Sequence, residues 1–392
     1  MDLGPRRESY LGTGKPKRRD SLGRVLILTA LILFGLHVIS QRRDWLQPFA
    51  PTPTPTRTAA SYFDEAEVLY REGKLDEAIV AYRNAYQREP ESWIALSRLV
   101  RLMVFRNQAA AAIEQYGEAL KAFDSAETFA ILCLAYDWNS QYEEALAACV
   151  RATSQNPDYA DAHAYMSEVY SDLAKWNEAY DEATKALELN DRSIEAHRAM
   201  AYALEVRQDY EGAVEAYQRA IELHPRLSHL YAGLARNHRV LGNYESAVEH
   251  FQKAIEVDPN NPEAYDQLGW TYYQMGDSSR AVVEIKRALE VAPDYASAYG
   301  HLGAIYYVQR LYEDAVPNFE TAIAGGSTSL EYYYELGLSY IYSYTNALQS
   351  YTPEELVKGC ELGVPWLDKA LERDPYCRPC WAGIDQCEGS EQ

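Results

Sequence analysis

From Ala59 onward, apolar and polar residues alternate with the spacing of amphipathic helices, and the whole pattern returns every 34 residues. Units open at Ala59, Trp93, Ala126, Ala160, Ile194, Ser228, Pro262, Ala296 and Leu330, with a single-residue deletion in the second. In this frame the twentieth position is Ala78, Ala112, Ala145, Ala179, Ala213, Ala247, Ala281 and Ala315, and the twenty-seventh is alanine in the same eight units. Pro90, Pro157, Pro225, Pro259 and Pro293 share the thirty-second position, where proline ends a helix. Small residues at fixed positions let helices approach to the short end of the roughly 8–10 Å packing range. The pattern therefore predicts an all-α chain of helical hairpins, each stable only when stacked on its neighbours.

Position 7 of the unit is mostly Leu or Met, position 8 is small, and Tyr265, Leu268, Gly269, Tyr272, Ala281, Ala288 and Pro293 complete one full signature. These residues resemble the tetratricopeptide repeat (TPR), over residues 59 to about 375. The resemblance implies a right-handed superhelical solenoid of antiparallel helix pairs whose first helices line a concave face through positions 2, 5, 9, 12 and 13. On this chain those positions give Phe63, Tyr70, Phe105, Trp138, Tyr202, His229, Arg236, Arg239, Trp270, Tyr273, Tyr307, Tyr334 and Tyr342. From this set, Trp138, Tyr202, Arg236, Arg239, Trp270, Tyr273 and Tyr307 are the candidate partner-binding residues. Aromatic side chains at nominally exposed positions suit a recognition groove, and the two arginines suit a carboxylate or acidic peptide. The bland alternative is that these side chains pack between repeats. The Lys and Asn of the family's carboxylate clamp are missing at positions 5 and 9, so that clamp's chaperone partners are not carried over.

The ninth unit carries an insertion near 346–359, with Thr352-Pro353-Glu354-Glu355 as a helix start, and a truncated tenth unit or Cys-rich cap occupies 377–392. Pro317 and Pro365 fall at one repeat position, which suggests that the last two second helices begin late or kink. Nine repeats thus span 59–376.

Ahead of the repeats, seven basic residues precede an apolar run at 25–39, and only Arg42 and Arg43 follow it closely. This is the charge bias of a signal-anchor with its N-terminus in the cytoplasm; a cleaved secretory signal is the competing reading. The layout is a basic cytosolic tail (1–21), a transmembrane helix (22–40), a Pro/Thr-rich spacer (41–58) and the array outside, an arrangement that resembles bacterial membrane-anchored TPR proteins. Residues 1–58 hold ten Lys/Arg against four Asp/Glu, so the chain's net charge of -21 leaves -27 on the remainder. Such a surface repels phosphate backbones, which argues against nucleic acid as a partner.

Outside the cytosol disulfides are permitted, and Cys133, Cys149, Cys360, Cys377, Cys380 and Cys387 are the candidates. A crosslink from Cys360 to Cys377 or Cys380 would clamp the terminal half repeat, with Cys387 taking the cysteine left over. Zinc at the C-terminal four and free thiols are the alternatives, and for Cys133 with Cys149 a bridge and simple packing stand level. Phosphate-loop, nucleophile-elbow and His-Glu-x-x-His motifs are missing, no cofactor or metal is expected, and His163 and His197 at position 4 are expected to be packed. The expected function is a non-enzymatic, membrane-tethered scaffold or adaptor for a protein or peptide. A glycan-binding or envelope-polymer-assembly module, and a subunit of an enzyme complex with catalysis in another chain, are the alternatives.

Overall fold

A computed structural model describes residues 21–41, 57–345 and 352–388, and the chain divides into two units, Met1–Arg57 and Thr58–Gln392. The basic tail, the Pro/Thr spacer up to residue 56, and residues 346–351 of the insertion lie outside the described residues. In the first unit, α1 (Ser21–Gln41) contains a stretch, Leu22–Ser40, of mean hydropathy 2.2, long and apolar enough to cross a membrane. A signal sequence has the same properties. The helix takes in Leu22 and Arg24, so at about 1.5 Å per residue it reaches about 30 Å, the thickness of a bilayer core.

Every regular element described in the second unit is an α-helix, and nine antiparallel hairpins follow one another. They are α2 (Ala59–Arg71) with α3 (Leu75–Arg88), α4 (Trp93–Phe105) with α5 (Ala109–Phe123), and α6 (Ala126–Trp138) with α7 (Tyr142–Gln155). Next come α8 (Ala160–Asp172) with α9 (Trp176–Leu189), α10 (Ile194–Val206) with α11 (Tyr210–Leu223), and α12 (Ser228–Val240) with α13 (Tyr244–Val257). The last are α14 (Pro262–Gln274) with α15 (Ser278–Val291), α16 (Ala296–Val308) with α17 (Tyr312–Ala324), and α18 (Leu330–Thr345) with α19 (Pro353–Arg373), before a lone α20 (Arg378–Glu388).

Local chemistry sets these boundaries. Thr58, Ser92, Ser125, Ser193 and Asn261 cap first helices by accepting a backbone N–H, and Thr352 and Glu355 form a reciprocal capping box at the start of α19. The chain reverses within each of the first eight hairpins through one residue of positive φ at position 15, which is glycine at Gly73, Gly242 and Gly276 but Asn107, Ser140, Ala174, Gln208 and Arg310 elsewhere. Contrary to the expectation of late starts, α17 opens at Tyr312 in the register of its counterparts and runs through Pro317, while α19 opens early and runs through Pro365. A fixed polar contact also recurs at position 4. His163, His197, Tyr231, Tyr299 and Trp381 each bond the backbone carbonyl six residues upstream, at 2.9–3.2 Å, tying each first helix to the loop before it.

First helices of consecutive hairpins pack on one another from α4 to α10 and again from α12 to α20, whereas second helices make no comparable contact, so the first helices form the inner layer. The position-20 alanines are wholly buried at the crossing of the two helices. At position 8, a Cβ on Gly269 would stand 2.6 Å from Ile285 and 2.8 Å from the Ala281 carbonyl, so glycine there is a packing requirement.

The array curls until its early hairpins meet its middle ones. The Gly73 turn is pressed on the Arg226 carbonyl, closely enough that a Cβ would lie 2.6 Å from it. Tyr70 stacks against His224 at 4.9 Å, and Arg106 Nη1 reaches Asp258 Oδ2 at 2.5 Å. One buried cluster accordingly runs from Ala66 to Leu234, with separate ones over the middle and the C-terminal end.

All six cysteines stand in pairs. Cys133 and Cys149 bridge α6 to α7, with Cα atoms 5.2 Å apart. At the C-terminus the expected connectivity is wrong: Cys377 pairs with Cys380, and Cys360 pairs with Cys387 across 27 residues. The reason is direction, because α20 turns back along α19. Its first residues lie by the end of α19, roughly 20 Å along that helix from Cys360, and its last turn comes level with Cys360.

Candidate functional site

The expected groove residues fall into two environments. In hairpins 2–5 most of the inner layer is closed: α4, α6 and α8 bury residues all round their circumference, with Trp138 left exposed at the end of α6. Enclosed among them are Arg101, Asp137, Glu168, Glu195 and Arg198, each less than a tenth exposed. Arg198 lies 2.8 Å from Glu168 and 3.3 Å from Glu195, which in turn lies 3.4 Å from Arg101. The Arg198 guanidinium also sits over the rings of Phe105 and Trp138, at 5.3 and 5.8 Å. Burial and the neighbouring Asp172 push Asp137 up to about 9, and burial pushes Glu168 up to about 7 against the pull of Arg198. Asp137 is thus held towards its protonated form beside Asp172.

Two candidates border this network. The Tyr202 hydroxyl donates to Asp172, and the Trp138 ring lies beside the Arg198 guanidinium while remaining 36% exposed. Trp138 still borders a cavity of about 610 Å³, left where hairpins 1–3 face hairpins 6–8, beside Asp76, Arg106, His229, Asp258 and Glu263. Arg106 is held there by both aspartates. Of the expected basic island only Arg236 is paired, while Arg239 Nη1 is buried without a hydrogen-bond partner. Arg236 is bound to Glu263 at 2.5 Å, and Arg239, desolvated beside Arg236, is pushed down to about 10.

In hairpins 7–9 the inner layer stays open. Trp270 and Tyr273 on α14 lie with ring centroids 4.9 Å apart, and Trp270 stacks on His301 of α16 at 4.3 Å. His301 is fixed in turn by Asp266, at 2.7 Å, which also accepts from Ser297. Tyr307 meets Tyr312 at 5.8 Å, and Tyr312 meets Tyr342 at 5.2 Å. Trp270, Tyr273, Tyr307, Tyr334 and Tyr342 are all half-buried, forming an aromatic strip across three consecutive inner helices. Sequence reasoning missed Glu335, on α18, in the midst of this strip. Its Oε2 is buried with no hydrogen-bond partner, and burial, with Glu331 adding, pushes the carboxyl up to about 8. A charged residue at position 6 is unremarkable by sequence, and only its surroundings single it out.

The described residues hold no group of three or more His, Cys, Asp or Glu placed to bind a metal ion. His163 is packed and satisfied by Glu182 and the Pro157 carbonyl. Cys377 and Cys380 are both buried, which withholds their pair from exchange with an external thiol.

A helical-repeat solenoid with a lined inner face is the class of protein that this geometry defines. Models of the tetratricopeptide repeat match residues 69–130, 194–227 and 267–340, and a TPR repeat model matches 238–276; the chain belongs to the tetratricopeptide repeat family. No curated protein matches it in sequence. Among solved structures, the Cut9–Hcn1 hetero-tetramer of the APC/C is similar at 14% identity and TM-score 0.50, over 85% of this chain and 76% of that one. PilF of Pseudomonas aeruginosa is similar at 16% identity and TM-score 0.47, over 59% and 98%. MamA is similar at 24% identity and TM-score 0.35, over 42% and 96%. The first of these carries the fold alone.

Proposed function

We propose that this chain is a membrane-tethered scaffold without catalytic activity of its own, which holds a polypeptide partner outside the cytosol on the inner face of hairpins 7–9. The observation that carries the reading is the half-buried strip Trp270, Tyr273, Tyr307 and Tyr342, open where the same layer of hairpins 2–5 is filled by the protein's own charges. Trp and Tyr offer large, rigid contact area and dominate the energetics of interfaces. The apolar α1, the basic excess ahead of it and three paired sets of cysteines support the tether and an oxidising compartment. A glycan in the same groove is less well supported, because His301 already covers one face of Trp270.

Two experiments test the reading. Trp270→Ala with Tyr273→Ala should weaken partner capture by about 2 kcal/mol or more while leaving thermal stability nearly unchanged; a loss of stability like that of a core truncation would show that these rings only pack. Protease added to intact spheroplasts should remove the repeats and leave a short membrane fragment, and protected repeats would overturn the topology.

A further inference from the structure

Glu335 is hard to explain as a structural residue. A carboxylate withdrawn from water costs several kcal/mol unless it is paired, and the buried glutamates of hairpins 2–5 follow that rule: Glu195 has Arg101 and Arg198, and Glu168 has Arg198, whereas Asp137 is held towards its protonated form beside Asp172. Glu335 has no such partner. The titratable groups that sense it are Glu331, Tyr332 and Tyr334 on its own helix, Tyr307 on α16 and Tyr273 on α14, and none of them is a cation. The groups on which the carboxylate acts from other helices are the tyrosines of the aromatic strip, with Trp270 one ring beyond Tyr273.

We propose that Glu335, framed by Tyr273, Tyr307 and Tyr334, seats a lysine or arginine side chain of the polypeptide held in the groove. The inference rests on the groove reading above and names the chemistry of its occupant. Three features fit a cation. The half-buried carboxyl group, which no cation of the chain pairs, offers a charge-assisted bond, the ring faces are negative and attract ammonium or guanidinium, and the -27 carried by residues 59–392 steers basic segments toward the array. In hairpins 2–5 the chain supplies its own cation to each buried glutamate; here the partner supplies it.

The arrangement has a thermodynamic signature. A carboxyl whose folded pKa stands near 8 retains its proton in much of the population at pH 7, and an arriving cation drives that proton off. Binding should release up to about one proton per site and tighten as pH rises from about 6 to about 8.

The test uses the full chain in nanodiscs at physiological salt and blocked Ala/Ser nonapeptides with a single central Lys, Arg or norleucine, measured by titration calorimetry. The Lys and Arg peptides should bind about tenfold or more tighter than the norleucine peptide, with heats that depend on the buffer's ionisation enthalpy. Glu335→Gln should erase both the discrimination and the buffer dependence without lowering the thermal midpoint, since it removes an unpaired buried charge, whereas Glu331→Gln should preserve them. Equal binding of the three peptides, no binding by any, or discrimination that survives Glu335→Gln overturns the cation seat. The groove reading fails separately, if the Trp270/Tyr273 double variant captures the partner as well as wild type does.

Discussion

In hairpins 2–5 the inner helices bury residues on every side and enclose an ion network, whereas in hairpins 7–9 the corresponding helices leave Trp270, Tyr273, Tyr307 and Tyr342 half exposed. Hairpins 2–5 share the position-20 and position-27 alanines with hairpins 7 and 8, so these hairpins are built alike. The difference lies in what the curl of the array brings against them. Hairpins 1 and 2 meet hairpins 5 and 6 through Tyr70–His224, Arg101–Glu195 and Arg106–Asp258, which closes the first turn of the solenoid on itself. Beyond that closure nothing described covers the inner face. A repeat fold thus separates a region that holds the scaffold's shape from one left free to bind.

The largest expected effect follows from the closed region. Arg198→Ala strands Glu168 in a buried site, leaves Glu195 with Arg101 alone, and should cost about 3–5 kcal/mol in denaturant unfolding, while Arg236→Ala, whose pair with Glu263 is over a third exposed, should cost about 1 kcal/mol or less. Similar costs for the two would erase the contrast. At the other end, Cys360→Ser with Cys387→Ser opens a 27-residue loop worth about 3.5 kcal/mol in the chain-entropy model. Hydrogen exchange should quicken in α18–α20 and stay unchanged in α4–α10, because solenoids fray from their ends.

A pH series sharpens the comparison further. Asp137 binds its proton more tightly in the folded chain than in the unfolded one, so the stability of the closed turn should fall as pH rises from about 4 towards about 9. Asp137→Asn should flatten that fall by an amount on the order of 1–3 kcal/mol, read from amide exchange in α6–α10. The smallest effect is Ala174→Gly, which relieves a positive-φ alanine in the hairpin 4 turn and should stabilise by about 0.5–1 kcal/mol.

Much of the fold was legible in the sequence because the repeat writes it locally: alanine at the helix crossings, proline after the second helices, and the Thr352 cap are all short-range signals. The closure was not, since Arg101 and Glu195 stand 94 residues apart and neither occupies a signature position. The half-turn residue at position 15 was hidden by its variety, filled by Ser140, Gln208 and Arg310 as readily as by Gly242. For the site, Trp270, Tyr273 and Tyr307 were legible as aromatics at inner positions. Their equivalents Trp138 and Tyr202 carried the same signal and are engaged by the protein itself, which only the curl of the chain decides.

The central claim is that partners meet the inner face of hairpins 7–9 and not that of hairpins 2–5. Photo-crosslinking side chains placed singly at positions 273, 307, 138 and 202 of the full chain, activated in its native membranes, address it most directly. Crosslinks to one common polypeptide from 273 and 307, with none from 138 or 202, are the predicted result; capture of that polypeptide as strongly from 138 or 202 would contradict the account.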